Sequence, residues 1–259
     1  MEIEGGFFKM RVLTIANQKG GVGKSATAQA LAESLVKHHN KKVLLIDADP
    51  EGNLSQATGV ENPAYALFDI NRGKIDTHEA IMEIADNHYF IASDYDTINV
   101  RAGVFSKLIN DIKEDNFDYV IIDTSPALGV AGIDALRESD YLLIPTCADG
   151  LGLKALKDIL STLSEVQESN KKLKNAGIII TRYNPRTVLN SSVMESIKKV
   201  ADREKSFVYR SVVKNCIAVS EAQTMQRGLF EYDSKSTAAE AYKDIVNEFL
   251  ESLQIKSQA

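Results

Sequence analysis

The chain has 259 residues, 44% of them hydrophobic, which is enough apolar material for a sizeable α/β core. Its 30 Lys and Arg stand against 36 Asp and Glu, a formal net charge of −6, and that balance taken as an average argues against nucleic acid as a partner. The two cysteines, Cys147 and Cys216, lie far apart without metal-ligand spacing, which excludes a disulfide scaffold and fits a reducing cytosol.

From the N-terminus, MEIEGGFFKM lacks an apolar signal core behind a basic start, and no stretch is long and apolar enough to span a bilayer. A cytoplasmic protein is expected, with residues 1–9 a dispensable extension. RVLTIAN (11–17) reads as a buried strand and SATAQALAESLVKHH (25–39) as a helix with apolar residues at helical spacing. Strands follow at 42–49, 89–93 and 118–124, with a helix over about 101–115 before the last of these. The strands 141–146 and 176–182 are separated by a helix over 151–169. From about 187, three helices and a short strand near 207–213 complete the chain. Near-continuous apolar strands alternating with helices predict an α/β fold, a mostly parallel twisted sheet with helices on both faces. No repeat or Pro/Gly-rich linker interrupts the pattern, so residues 1–259 read as one domain.

The turn between the first strand and helix is QKGGVGKSA (18–26). Strand, glycine-rich turn and helix are the context a phosphate-binding loop requires. Gly20, Gly21 and Gly23, with Val22 between them, let backbone N–H groups close on phosphate oxygens, aided by the positive end of the helix. Lys24 supplies a point charge to the β and γ phosphates, and Ser25 offers a hydroxyl to Mg²⁺. Asp123, closing the run YVIID, suits a carboxylate that holds a metal-bound water. Asp47 and Asp49 close VLLIDAD; either one reads as the residue orienting an attacking water or, equally, as a structural cap or ion-pair partner. Yet the usual first glycine of the loop is absent: Gln18 occupies its place and Lys19 follows.

KGGVGKS, LLIDADPEGN and YVIIDTSPALG together resemble the deviant Walker A ATPases, the group of the ParA/Soj partition ATPases, the MinD division-site ATPases and the nitrogenase iron protein. The resemblance runs over nearly the whole chain and gives Gln18 a place. It implies that Lys19 is the signature lysine, which crosses an ATP-bound homodimer to the partner's phosphates. It further implies that Lys24 and Asp49 take part in hydrolysis, that Asp123 is the Walker B aspartate, and that Asp47 supports the loop. ATP and Mg²⁺ are the implied ligands. Two departures stand in this region: Glu51 where the family often has glutamine, which points to slow or tuned hydrolysis, and Ala26 where threonine is common. Arg182, after GIIIT, is a candidate for the nucleotide's other end.

The cysteines do not sit where the iron protein holds its cluster. The tail AAEAYKDIVNEFLESLQIKSQA has helical apolar spacing but more acid than base, so it reads as a packed helix, and no membrane partner is expected. The ParA branch fits best. Residues 171–214 hold 11 Lys and Arg against Glu195, Asp202 and Glu204, an asymmetry that points to a polyanion-facing surface. Lys198, Lys199, Arg203, Lys205, Arg210, Lys214 and Arg227 are the candidate DNA-phosphate contacts, each equally readable as part of a solvated face. The resemblance implies a nucleoid-associated ATPase whose dimer binds DNA nonspecifically and is released when a centromere-binding ParB-like protein stimulates hydrolysis. The alternatives are an ATP switch that docks a protein with little role for DNA, and a P-loop metabolic kinase, which Lys19 and the lack of an acceptor site weaken.

Overall fold

The structure, a computed structural model, describes residues 10–257; the extension expected over residues 1–9 lies outside them. Seven strands form one sheet: β1 (Arg11–Ile15), β2 (Val43–Ala48), β3 (Met82–Ala85), β4 (His88–Ile91), β5 (Tyr119–Thr124), β6 (Tyr141–Cys147) and β7 (Lys174–Thr181). Their order is β3-β4-β2-β5-β1-β6-β7. All neighbours are parallel except the edge pair β3 and β4. The helices are α1 (Lys24–His39), α2 (Asn53–Ala57), α3 (Leu67–Asn71), α4 (Val104–Asp111), α5 (Gly129–Glu138), α6 (Gly150–Ser169), α7 (Val188–Arg203), α8 (Ile217–Thr224), α9 (Leu229–Tyr232) and α10 (Thr237–Ser257).

The period-2 alternation of the strands decides which helix covers which face. Leu13, Ile15, Leu45, Ile121, Leu143 and Ile179 pack with α1, α8, α9 and α10. Their neighbours in sequence, Val12, Leu44, Ile46, Val120 and Ile122, turn to the other face against α3 and α4. There Leu142, Ile144, Ile178 and Ile180 meet α6 and α7. Both faces are therefore dry, and each fully buried aliphatic side chain contributes about 1.5–3 kcal/mol. Among the described residues no helix is long and apolar enough to cross a membrane.

Two expectations need correction. The segment 207–213 is not a strand; it touches the sheet edge through the isolated bridges Ile178–Val208 and Tyr183–Lys214. Between them the N–H groups of Arg210 and Ser211 donate to the Glu248 carboxylate of α10, at 3.0 and 3.1 Å, and a ladder cannot continue without those donors. Beyond residue 187 there are four helices among the described residues rather than three, the short α9 following directly on Gly228.

The order of the strands positions the site. The chain leaves β1 through α1 to β2 on one side, while β5 leads through α5 to β6 on the other side of β1. Parallel sheets open a crevice at such a reversal, beyond the C-terminal strand ends.

Candidate functional site

The crevice holds a cavity of about 700 Å³ lined by Gly20, Gly21, Gly23, Lys24, Ser25 and Ala26 on one side and by Asp49, Glu51, Asn53, Pro126 and Arg182 around it. Gly21 and Gly23 adopt φ of 71° and 79°, the left-handed region that glycine enters at least cost. Gly23 caps α1 without any side-chain hydrogen bond, and the first turn of that helix carries no acidic residue. The first N–H groups of α1 thus face the cavity with no internal partner, at the positive end of the helix, which is an anion site.

The loop is fixed from behind. Thr181 Oγ1, at the end of β7, donates towards Val22 O at 2.8 Å and Thr146 O at 3.2 Å. Val22 is fully buried, so its backbone, not its side chain, belongs to the site. Asn17 Nδ2 donates to Pro145 O at 2.8 Å. Gln18, where a glycine was expected, sends Nε2 to Thr162 Oγ1 at 3.0 Å. Lys19 does not line its own cavity; its Nζ lies 2.8 Å from both carboxylate oxygens of Asp149.

Three carboxylates sit at the strand ends. Parallel register pairs Asp47 with Asp123, and Ile15 of β1 with the same Asp123. Asp47 accepts hydrogen bonds from the N–H of Asp49 (2.9 Å) and from the N–H and hydroxyl of Ser55 (both 2.8 Å). Burial nevertheless pushes its carboxyl up to about 6. Asp49 accepts from Glu51 N–H at 3.1 Å. Its pKa is raised by burial and by the Glu51 charge, and Lys24 acts against that rise. Glu51 itself holds Asn53 Nδ2 at 2.9 Å. The departure at this position thus adds negative charge beside Asp49.

Asp123 is wholly buried, and neither of its oxygens has a hydrogen-bond partner among the described residues. Burial and the Asp47 charge raise its pKa; the neighbouring Ser25 hydroxyl and Lys24 ammonium act the other way. An orphaned buried carboxylate beside a hydroxyl and a phosphate loop is the donor set of a hard cation. The residues present therefore fit Mg²⁺. Lys24 is buried, and loss of water lowers its pKa while Asp123, Asp49 and Glu51 oppose that fall.

Arg182 takes φ of 50° and spans the loop, donating Nη1 to Gly21 O at 3.0 Å. The far wall of the cavity was not readable from sequence: Val213, Asn215, Cys216, Val219, Ser220 and Gln223 line it. No motif marks them, because 213–216 and α8 reach the loop only through the fold. Lys214, a DNA candidate, lines the same cavity. The seven candidate DNA contacts are all exposed. Lys198 pairs with Glu195 at 3.2 Å, Arg203 with Glu204 at 3.2 Å, Arg210 with Glu248 at 3.2 Å and Arg227 with Glu231 at 2.8 Å. Lys199, Lys205 and Lys214 have no ion pair among the described residues.

Residues 10–175 match the AAA_31 family model, an AAA domain. The sporulation initiation inhibitor protein Soj of Bacillus subtilis is 31% identical over 250 residues, covering 92% of this chain and 97% of that protein. The chromosome-partitioning ATPase Soj of Thermus thermophilus is 29% identical over 252 residues, covering 95% and 98%. Among solved structures, cobyrinic acid a,c-diamide synthase of Mycobacterium smegmatis with bound ADP and magnesium superposes with a TM-score of 0.78 at 26% identity, covering 95% of this chain and 96% of that one.

Proposed function

This chain belongs to the ParA/MinD-type P-loop ATPases, and on that premise we propose that it is a DNA-partition ATPase. It hydrolyses ATP, with Mg²⁺ as cofactor. In the proposed cycle ATP closes two copies face to face, the closed dimer binds DNA without reading sequence, and a ParB-like centromere-binding protein triggers hydrolysis and release. Such a chain works in the cytoplasm, on the nucleoid. The switch needs only that the ATP and ADP states differ in their affinity for DNA.

Each side chain has a place in this reading. The N–H groups of Gly20 to Ser25 and the Lys24 ammonium bind the β and γ phosphates. Ser25 and Asp123 would hold Mg²⁺, which would supply positive charge against the phosphates. Asp49 orients the attacking water. Its neighbour Asp47 fixes the turn after β2 through the hydrogen bonds to Asp49 and Ser55. Arg182 and the wall from Val213 to Gln223 enclose the nucleoside end. Phosphoryl transfer asks mainly for positioning and charge stabilisation, so turnover is slow until a partner completes the geometry.

The observation that carries the reading is the orientation of Lys19. A loop lysine turned away from its own cavity and held on Asp149 lies on the side where another copy's nucleotide would meet it, which supports an ATP-dependent dimer. The exposed basic side chains of α7 and the segment after it support DNA as the cargo-bearing surface.

One observation favours a second reading, an ATP switch that docks a protein. Four of the seven candidate basic residues are already ion-paired. Binding to random-sequence duplex DNA with ATP, ADP or no nucleotide, at two salt concentrations, separates the two. The partition reading expects binding with ATP alone, weakened steeply by salt. ATP-dependent dimers that bind no DNA in any state would leave the docking reading standing.

A further inference from the structure

Three successive residues of the loop are tied to the neighbouring elements β6 and α6, two of them where β6 gives way to α6 and one further along that helix. Asn17 Nδ2 donates to Pro145 O at 2.8 Å, and Asn17 Oδ1 accepts the Lys19 N–H at 3.1 Å. Gln18 Nε2 reaches Thr162 at 3.0 Å. Lys19 Nζ donates to Oδ1 and Oδ2 of Asp149, both at 2.8 Å. Asp149 has a second task as the N-cap of α6, where Oδ1 accepts the Gly152 N–H at 2.6 Å.

We propose that Asp149 is a positioning residue for Lys19: it parks the ammonium at the start of α6 while the chain is alone and releases it to the phosphates of a second copy when two chains close. The inference rests on the reading that Lys19 acts across a dimer. One carboxylate and a triphosphate compete for the same three N–H donors, and the triphosphate carries the larger charge. Until a second copy presents it, the pair keeps Lys19 from bending into its own cavity. The side chains of Lys19 and Asp149 are 22% and 43% exposed, so water screens the pair and leaves it weak enough to break. Leu151, two residues on in the first turn of α6, is an apolar side chain 69% exposed, a surface that a second copy closing over this corner would cover.

Asp149→Asn tests the assignment, because asparagine caps a helix as well as aspartate does while removing the charge that holds the lysine. Dimerisation with ATP is measured by sedimentation for the wild type, Asp149→Asn, Asp149→Glu, Lys19→Ala and the double variant Lys19→Ala/Asp149→Asn. The expected result is ATP-dependent dimers of Asp149→Asn at a protein concentration lower by up to about fivefold per chain, the range of an exposed ion pair. Asp149→Glu should behave as the wild type, and the gain should vanish when Lys19 is also replaced. If Lys19→Ala dimerises like the wild type, the reading of Lys19 across the dimer is wrong. If Lys19→Ala is defective but Asp149→Asn dimerises like the wild type or less readily, Asp149 does not park the lysine.

Discussion

His88 enters the sheet at the start of β4, where burial strips its ring of water and the Lys37 charge repels a proton, so its pKa is pushed down from 6.5 to about 4. Its Nε2 has no hydrogen-bond partner among the described residues. Because the folded pKa lies below the unfolded one, the unfolded chain takes the proton more readily. The stability held at neutral pH is therefore lost as pH falls through 6.5 towards 4. Asp47 pulls the opposite way: its carboxyl is raised to about 6, so protonation of the native state stabilises the fold as pH falls from there towards the usual carboxylate range. The two partly cancel, and only a difference measurement isolates the histidine. Urea unfolding of the wild type and His88→Asn at about pH 7 and about pH 5 should show the stability gap between them shrinking by about 2 kcal/mol at the lower pH. A gap that does not change with pH would mean His88 is solvated in the native protein. At this scale the sequence is a good guide to which groups the fold brings together and a poor guide to how they are poised. That Lys24, Asp49 and Asp123 would meet was legible from their motifs. That Asp123 has no hydrogen-bond partner among the described residues, and that burial and Glu51 together raise Asp49, follows only from what the fold packs around them.

Elements show the same division. Strands β1, β2 and β5 were legible as near-continuous apolar runs and helix α1 by apolar residues at helical spacing, with the glycine-rich turn between β1 and α1 and the aspartates at the ends of β2 and β5 marking their limits. The edge strand β3 was missed because its residues are alternately half-buried and exposed. The Asp86–Asn87 turn that joins it to β4, with Asn87 at φ of 58°, is readable once a hairpin is suspected. Helix α5 hid behind Pro126 and two glycines. Asp149 was invisible as a partner of Lys19 because 130 residues separate them. Gly152 illustrates a requirement no local pattern encodes. A Cβ there would lie 2.1 Å from Cys147 O and 3.2 Å from Thr146 Oγ1, so the first turn of α6 rests directly on the end of β6. Gly152→Ala must push helix and strand apart, costing about 1–3 kcal/mol as overpacking does. The same shift moves the Asp149 cap away from the loop. Denaturant unfolding should register the loss of stability; wild-type stability would mean that the helix start can move at little cost.

For the whole molecule, the net charge of −6 conceals a division of labour. Asp47, Asp49 and Asp123 gather at the strand ends around the cavity, while α7 and the chain that follows it carry the exposed Lys198, Lys199, Arg203, Lys205, Arg210, Lys214 and Arg227. Those residues are not equivalent. Arg210 is tied to Glu248 at 3.2 Å and Glu251 at 3.7 Å of α10, so its replacement should loosen the contact between that helix and the segment 207–213. Lys214 lines the cavity, and its loss should weaken nucleotide binding first. Lys199 and Lys205, at and just beyond the last turn of α7, are exposed and without ion pairs among the described residues, so a DNA phosphate that meets them displaces no carboxylate. Each phosphate neutralised contributes about 0.9 to the slope of log K against log salt on duplex DNA. With ATP present, Lys199→Ala and Lys205→Ala should each lower that slope by about 0.9 on random-sequence duplex, while Lys198→Ala, whose ammonium is shared with Glu195, should lower it by less. Titrations across a salt series give the slopes directly. Equal slopes for the wild type and both lysine variants would move the DNA surface off α7, and a slope lowered in Lys214→Ala alone would place it at the mouth of the nucleotide cavity instead.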